Sequence, residues 1–359
     1  MTPKETITMQ GPVCPLPLPH KESIVIGHGS GGRMTQDLIQ RVFSPRFTNP
    51  ALLAGNDAAR MGLPSAAAMQ GALAFSTDSH IVNPLFYPGG DIGRLAVCGT
   101  VNDVAMLGAE VLYLTAGFII EEGLPVEILE KVADSMQAAA QEAGVTIVAG
   151  DTKVVEKGKA DKLFINTAGV GWIPVGRQIG GELARPDDVV LISGTIGDHG
   201  IAVLTARGDL GFETRVRSDV SPLNGLIRSV LLAAPHTHVL RDPTRGGLAT
   251  TLNEIAGQSK VGIVLDEKSI PVQPDVQAAC EMLGFDPLYV ANEGKVIVIV
   301  PPEEADAALA AMRMHPYGIL AMRIGTVRLE PPGRVLLRTI IGATRILDTL
   351  AGEMLPRIC

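Results

Sequence analysis

Cysteine is scarce and dispersed: the 359 residues hold four, Cys14, Cys98, Cys280 and Cys359. No two form a C-x-x-C pair, which argues against a zinc site and against a disulfide-stapled secreted scaffold, and fits reduced thiols. Long apolar runs are missing too. No stretch of about 18 residues is free of a charge or turn signal, so no segment reads as a membrane-spanning helix. Residues 1–20, "MTPKETITMQGPVCPLPLPH", lack the apolar core of a signal peptide and read as a poorly ordered, proline-rich start. Basic charge is in deficit, with a formal net charge of -8. That balance gives no electrostatic footprint for nucleic acid or an anionic membrane, so any phosphate contact must be local. A cytoplasmic protein is expected.

What is present suits a globular chain of two domains, 46% hydrophobic and 19% charged. "ESIVIGHGSGGRM" reads as a glycine-rich turn feeding a short helix over "TQDLIQRVF". "ALAFSTDS" (72–79) reads as a strand that delivers Asp78 into a loop. "GRLAVCGTVNDVAMLGA" (93–109) reads as a helix whose Ala96, Gly99, Thr100 and Asp103 share a face of small or polar residues, built for close approach. "PVEILEKVADSMQAAAQEAG" is the clearest helix, with Pro125 suited to its first turn and Gly144 to its stop. Strand "VTIVA", then "GDTK" (150–153), then strand "LFINTAGVG" close a mixed domain near residue 170. From "VVLISG" onward helices and strands alternate loosely, which predicts a second α/β or α+β unit.

The recurring chemical feature is an aspartate at the end of an apolar run or beside glycine: Asp57, Asp78, Asp103, Asp151, Asp198 and Asp242. Each alone is ordinarily an N-cap or an Asx turn. Together they are hard oxygen donors of the kind Mg²⁺ takes one or two at a time around a polyphosphate. "GHGSGG" (27–32) can turn backbone N–H groups toward an anion, although no G-K-[ST] closes it as a Walker loop and it lacks a dinucleotide-binding setting. Lys153 in "GDTK" is a candidate phosphate partner and Glu293 in "ANEGK" a candidate base; the ordinary reading of either is a solvated turn residue. His236 and His238 in "PHTH" have no third ligand in sight, which disfavours a metal site.

The chain ends "EMLPRIC". A cysteine at a loose end is usually incidental. Extended at roughly 3.3 Å per residue, however, the last dozen residues would span about 40 Å, enough to cross a domain.

The segments "FSTDSHIVNPLFYPGGDIGRLAVCGTVNDVAMLGA", "GDTKVVEKG", "DKLFINTAGVG", "RDPTRGGLATTLNEIA" and the end "PRIC" together resemble the HypE family of hydrogenase maturation proteins. The likeness covers nearly everything after residue 20, and "PRIC" is its most specific element. It places the chain in the PurM-like superfamily of aminoimidazole ribonucleotide synthetase. The implied fold is two α/β domains, 21–170 and 171–340, between a flexible segment 1–20 and a mobile tail 341–359, with strands of two subunits forming a barrel in a homodimer.

The resemblance implies ATP and Mg²⁺ between the domains. Asp57, Asp78, Asp103 and Asp242 would bridge the metal. His28, Gly29, Ser30, Gly31 and Gly32, with Asn102, Asp151 and Thr152, would contact the nucleotide, and Cys359, Lys153 and Glu293 would act in the chemistry. The implied activity is ATP-dependent dehydration of a carbamoyl group on Cys359 to a thiocyanate. HypF would load the tail, and the HypC–HypD complex would receive the cyanide. Two other classes compete: a synthetase or kinase of this fold acting on a free small molecule, and a non-enzymatic thiol carrier or metallochaperone.

Overall fold

The computed structural model describes residues 32–38, 40, 59–62, 71–208, 214–352, 355, 358 and 359. Cys14, His28, Gly29, Ser30, Gly31 and Asp57 lie outside the described residues. Among the described residues no helix is long and apolar enough to cross a membrane.

After a short helix α1 (Arg33–Leu38), the first half is built on strand alternation. β1 (Ala59–Gly62) pairs with β2 (Gly71–His80), which buries Ala72, Ala74 and His80 and leaves Phe75, Thr77 and Ser79 exposed, the period of two expected of a half-covered strand. A two-residue hairpin, β3 (Phe86–Tyr87) and β4 (Gly90–Asp91), leads into helix α2 (Ile92–Ala105). The Asp91 carboxylate starts that helix by accepting from the Gly93 and Arg94 N–H groups. Strand β5 (Glu110–Glu121), helix α3 (Val126–Ala143), and strands β6 (Thr146–Val155) and β7 (Leu163–Pro174) follow. Pro125 stands at the N-cap position, one place before the first turn of α3, and Gly144, at φ +69°, ends the helix in the left-handed region.

The five strands run β1-β2-β7-β5-β6, all antiparallel except the parallel β5/β6 pair. "GDTK" lies inside β6, not in a turn after it: Gly150, Asp151, Thr152 and Lys153 pair with Ala116, Gly117, Phe118 and Ile119 of β5. Helix α2 packs on one face of the sheet and α3 packs on α2. On the other face Phe75, Tyr113 and Ile119 remain exposed.

The second half holds a sheet ordered β14-β13-β10-β12-β8-β11-β9. Its strands are β8 (Val189–Ile192), β9 (Val239–Arg241), β10 (Gly262–Asp266), β11 (Ile297–Val300), β12 (Met322–Arg328), β13 (Arg334–Arg338) and β14 (Thr344–Leu347). Between them lie helices α4 (Asp198–Ala206), α5 (Asn224–Ala233), α6 (Gly247–Ser259), α7 (Pro274–Leu283) and α8 (Ala305–Met314). β8 and β11 are buried at every position because helices cover both faces. Leu248, Leu252 and Ile255 of α6 pack on one side of the sheet; Leu226 and Val230 of α5, with Met312 of α8, pack on the other. Parallel pairing of β10 with β13, among antiparallel neighbours, makes this sheet mixed as well. The mixed α/β class read from the sequence is what the chain adopts. Residues 344–347 are a sheet strand, although they fall in the segment the sequence reading assigned to the tail.

One apolar cluster joins the halves. It takes Leu95 and Val101 from α2, Ile201 from α4, Val276 from α7, and Leu355 and Ile358 from the end of the chain. Asn102 fastens the same junction. Its side-chain amide donates to the carbonyls of Ser221 (3.1 Å) and Glu293 (3.4 Å) and accepts from the Leu223 N–H (2.8 Å). Asn102→Leu keeps the volume but orphans these buried main-chain groups, at about 1–3 kcal/mol each. The urea midpoint is expected to fall by an amount equivalent to at least about 2 kcal/mol; an unchanged midpoint would mean that packing alone holds the halves together.

Candidate active site at the junction of the two halves

The first wall of the site is the end of β2 laid against α2. Ser76, Asp78 and His80 alternate onto the helix side of the sheet. The small face foreseen on α2 admits them. A Cβ on Gly99 would stand 3.0 Å from His80 Cε1 and 3.4 Å from an Asp78 oxygen. The Ser76 hydroxyl donates to Asp103 at 2.7 Å, and the Thr100 and Thr167 hydroxyls meet at 2.6 Å. His80 is buried, with Nε2 3.2 Å from the Thr167 hydroxyl and 3.6 Å from Asp78, and its Nδ1 has no hydrogen-bond partner. Burial lowers its pKa against the pull of Asp78, which keeps the ring neutral near pH 7.

The second wall comes from the loops after β9 and before β11. Asp242 follows β9, and the chain turns into α6 through Gly246 (φ +80°) and Gly247 (φ +63°). A Cβ on Gly247 would also lie 2.6 Å from the Leu288 carbonyl, so no other residue fits there without displacement. Asn292 ties the two loops by donating to Pro243 O (2.8 Å) and accepting from Gly197 N–H (2.8 Å). The N–H groups of Glu293 and Gly294 donate to the two oxygens of Asp219 at 3.1 and 3.2 Å. Lys295 lies 3.1 Å from Asp219 and 3.9 Å from Asp198, and Asp198 also accepts from Thr195 and Gln273.

This packing sets the proton affinities. Burial pushes the Glu293 carboxyl well above its usual range; Asp78, Asp242 and Asp219 add to the rise and Arg245 opposes it. Asp219 is lowered even though burial, the largest influence, works the other way, because Lys295, His199 and its backbone donors together outweigh it. Asp198 is raised, mainly by burial and then by Asp219.

The third wall is the end of the chain. Leu350 O accepts from Arg33 N–H at 3.1 Å, Asp348 pairs with the Arg33 guanidinium at 2.5 Å, and the Tyr289 hydroxyl donates to Asp348 O at 2.9 Å. Gly32, the one described residue of the glycine loop, sits so close to this segment that a Cβ would lie 2.4 Å from Leu350 O. Leu355 and Ile358 are buried, and Cys359 is partly exposed. The Cys359 thiol is pushed up to about 12 by the packing around it; Arg245 pulls it down, while Glu293 and Asp78 push it up. The same thiol is the largest influence on the exposed Arg245 guanidinium, so sulfur, Arg245, Glu293 and Asp78 share one space.

Residues 55–173 match the AIR synthase related protein N-terminal domain, and residues 185–337 match the C-terminal domain of the same family. The carbamoyl dehydratase HypE of Cupriavidus necator is 56% identical over 94% of this chain and 95% of its own length. The chain belongs to the HypE carbamoyl dehydratase family. Among solved structures, a HypE–HypF complex superposes with a TM-score of 0.81 at 51% identity, covering 87% of this chain and 99% of that one. HypE in complex with ATP gives 0.78 at 52% identity, covering 92% and 98%.

Of the residues singled out from sequence, the junction gathers Asp78, Asp103, Asp242, Glu293 and Cys359, with Asn102 spent on main-chain partners. It does not gather Lys153. β6 is the sheet edge, three strands from β2 or about 14 Å at strand spacing. Lys153 pairs with Ile119 on the open face, whereas Asp78 faces α2. Asp151 and Thr152 lie on the same strand. His236 and His238 each meet a carboxylate, Glu304 at 2.5 Å and Asp188 at 2.8 Å. Sequence reasoning missed Arg245, Asp219, Lys295 and His199. Arg245 and Lys295 stand inside motifs already quoted, "RDPTRGG" and "ANEGK", and His199 directly follows Asp198 in "TIGDHG".

A raised carboxyl pKa has a defined linkage. Folding favours the protonated form, so Glu293 costs nothing below its unfolded pKa and progressively more as pH rises toward its folded pKa. Glu293→Gln should therefore gain on the parent with pH, its melting temperature exceeding the parent's by more at pH 8 than at pH 5. A difference independent of pH between those values would show that Glu293 is not held protonated by the fold.

Proposed function

We propose that the chain dehydrates a carbamoyl group carried on its own Cys359 sulfur, using ATP, and so supplies cyanide for the iron centre of [NiFe]-hydrogenase. The observation that carries this is the position of Cys359: the sulfur shares the junction with Asp78, Glu293 and Arg245. The 56%-identical relative, a carbamoyl dehydratase, and the ATP complex of another relative support it.

The chemistry is demanding because an amide oxygen is a poor leaving group. Transfer of the γ-phosphoryl group to the oxygen of S–C(=O)–NH₂ makes that oxygen part of phosphate. Loss of the nitrogen protons and of phosphate then leaves S–C≡N, ADP and inorganic phosphate. Glu293 is the base: as the carboxylate it has a raised proton affinity and takes a proton from nitrogen. The tail supplies the substrate at high effective concentration.

Among the described residues no three His, Cys, Asp or Glu side chains are already gathered as a metal cluster. Asp78 and Asp242 both act on Glu293 and so face a common space, and with Asp103 they are the hard donors that suit Mg²⁺. Those residues, with Asp57, would hold it. When bound, Mg²⁺ neutralises charge on the nucleotide phosphates. The nucleotide would meet His28, Gly29, Ser30, Gly31, Gly32, Asp151 and Thr152.

The exposed apolar face of the first sheet supports a homodimer closed through a shared barrel. A direct role for Lys153 then requires Lys153 of the partner subunit, since its own strand runs along the far edge. HypF would load the sulfur, as the HypE–HypF complex of a relative suggests, and the HypC–HypD complex would accept the cyanide in the cytoplasm.

Mass spectrometry of the peptide ending at Cys359, after incubation with HypF, carbamoyl phosphate and ATP, tests the reaction. The expected result is a gain of one carbamoyl group followed by loss of one water only when ATP is present; a stable carbamoyl adduct in the presence of ATP would remove the dehydratase reading. Mixing the Lys153→Ala and Cys359→Ala variants tests the lysine. Each alone should be inactive, and co-refolded mixtures should recover about a quarter of wild-type turnover, from the one productive site that mixed dimers contain if lysine acts across the interface. No recovery would place the Lys153 requirement within a single chain.

A further inference from the structure

The last two residues are held by something more specific than apolar packing. Ile358 forms an antiparallel bridge with Val82, and the main-chain oxygen of Cys359 accepts from the Ile81 N–H at 3.1 Å. The tail thus adds a two-residue strand to the segment just after β2, the segment whose preceding residues carry Asp78 and His80. So short a pairing has little directional strength of its own.

His199 supplies the rest. Its Nε2 lies 2.6 Å from the Ile358 carbonyl oxygen, and a carbonyl can only accept, so the proton sits on Nε2. Nδ1 lies 2.8 Å from the Ser218 hydroxyl, whose oxygen also accepts from the Val220 N–H at 3.2 Å. In the neutral ring the hydroxyl donates to Nδ1, and Ser218 thereby selects the tautomer that can hold the tail. Burial keeps the ring neutral, and Tyr87 meets it edge-on at 5.6 Å and fixes its plane. Ile358 packs in the same apolar cluster as Tyr87, Val82 and Leu85.

We infer that Ser218, His199 and the Ile81–Val82 main chain form a latch that seats Ile358 and thereby aims the Cys359 sulfur, with His199 a positioning residue rather than a catalytic one. This rests on the reading of Cys359 as the carrier, and it adds how the carrier is found and held. The ring touches the residue before the cysteine and leaves the sulfur free to carry a substituent.

Alkylation of Cys359 by iodoacetamide at pH 8 without nucleotide, followed peptide by peptide by mass spectrometry on the full-length protein, tests the latch independently of dehydration. The buried Cys98 and Cys280 report any global loosening in the same digests. His199→Leu, which cannot donate, should speed alkylation of Cys359 about tenfold, the factor carried by one net hydrogen bond. His199→Gln, whose amide can donate, should restore most of the protection. Ser218→Ala, which frees the tautomer, should fall between them and serves if the Leu variant does not fold. Wild-type rates in His199→Leu or Ser218→Ala, or a Gln variant as fast as the Leu variant, would overturn the latch. If these rates behave as expected while no water is lost from the carbamoylated peptide, the latch stands and the dehydratase reading falls.

Discussion

Among the described residues, more carboxylates than cations meet where the two halves touch, and the rest of the site follows from that excess. Asp78, Asp219 and Asp242 all act on Glu293 there, with Arg245 and Lys295 as the counter-charges. Lys295 is committed to Asp219 and Asp198, and its pairing explains why Asp219 ionises readily while Asp198 does not. Arg245 faces solvent on one side, so water screens part of its effect. Glu293 takes up the balance as a proton affinity raised by burial and by its acidic neighbours. A group that is reluctant to ionise is a strong base once it has done so, and the same crowding that makes the junction electrostatically costly makes it chemically useful.

The docked thiol belongs to the same arrangement. At about 12, Cys359 is essentially all thiol at neutral pH, so it is a poor nucleophile while seated. In the proposed reaction, forming a bond from that sulfur to an incoming carbamoyl group requires the thiolate, which is favoured once the tail leaves the packing that buries it. Once the sulfur carries a substituent its titration no longer matters, and the amide can occupy a place that the anion could not. In the proposed reaction, loading and dehydration would thereby be separated in space, chiefly by burial of the thiol. The contacts that seat the tail, two buried aliphatic side chains and a few hydrogen bonds, are of the strength that local opening can overcome.

Much of the fold was legible from periodicity and punctuation. The helix over 125–144 showed both its ends in the sequence, and the strand carrying Asp78 was read too, although it runs on to His80 and holds Asp78 within the sheet rather than in a loop. The small face of α2 was visible as Ala96, Gly99, Thr100 and Asp103 before any partner for it was known. What failed was local chemistry that tertiary structure overrode. Gly150 and Asp151 read as a turn because both residue types favour turns, yet they pair as strand beside β5. β5 itself, the helix at Pro274–Leu283 and the strand at Thr344–Leu347 went unread. Of the site, the acids were legible as a class, since Asp at strand ends is a pattern. Asp219, Lys295 and His199 were not, because each acts through contacts with residues tens of positions away, such as His199 with Ile358, that no spacing encodes.

The two sheets solve the problem of coverage differently, and the difference has a functional consequence. The second sheet has helices on both faces, so β8 and β11 are apolar throughout and need nothing further. The first has its helices on one side only, and the face opposite α2 presents Phe75, Tyr113 and Ile119 to solvent along neighbouring strands. Side chains of that size on a bare sheet face ask for a covering surface. The strand that carries Lys153 runs along the edge of this same sheet. A surface that covers the apolar face of one chain and brings its own β6 toward the junction of the other would satisfy the burial demand and the lysine's reach together.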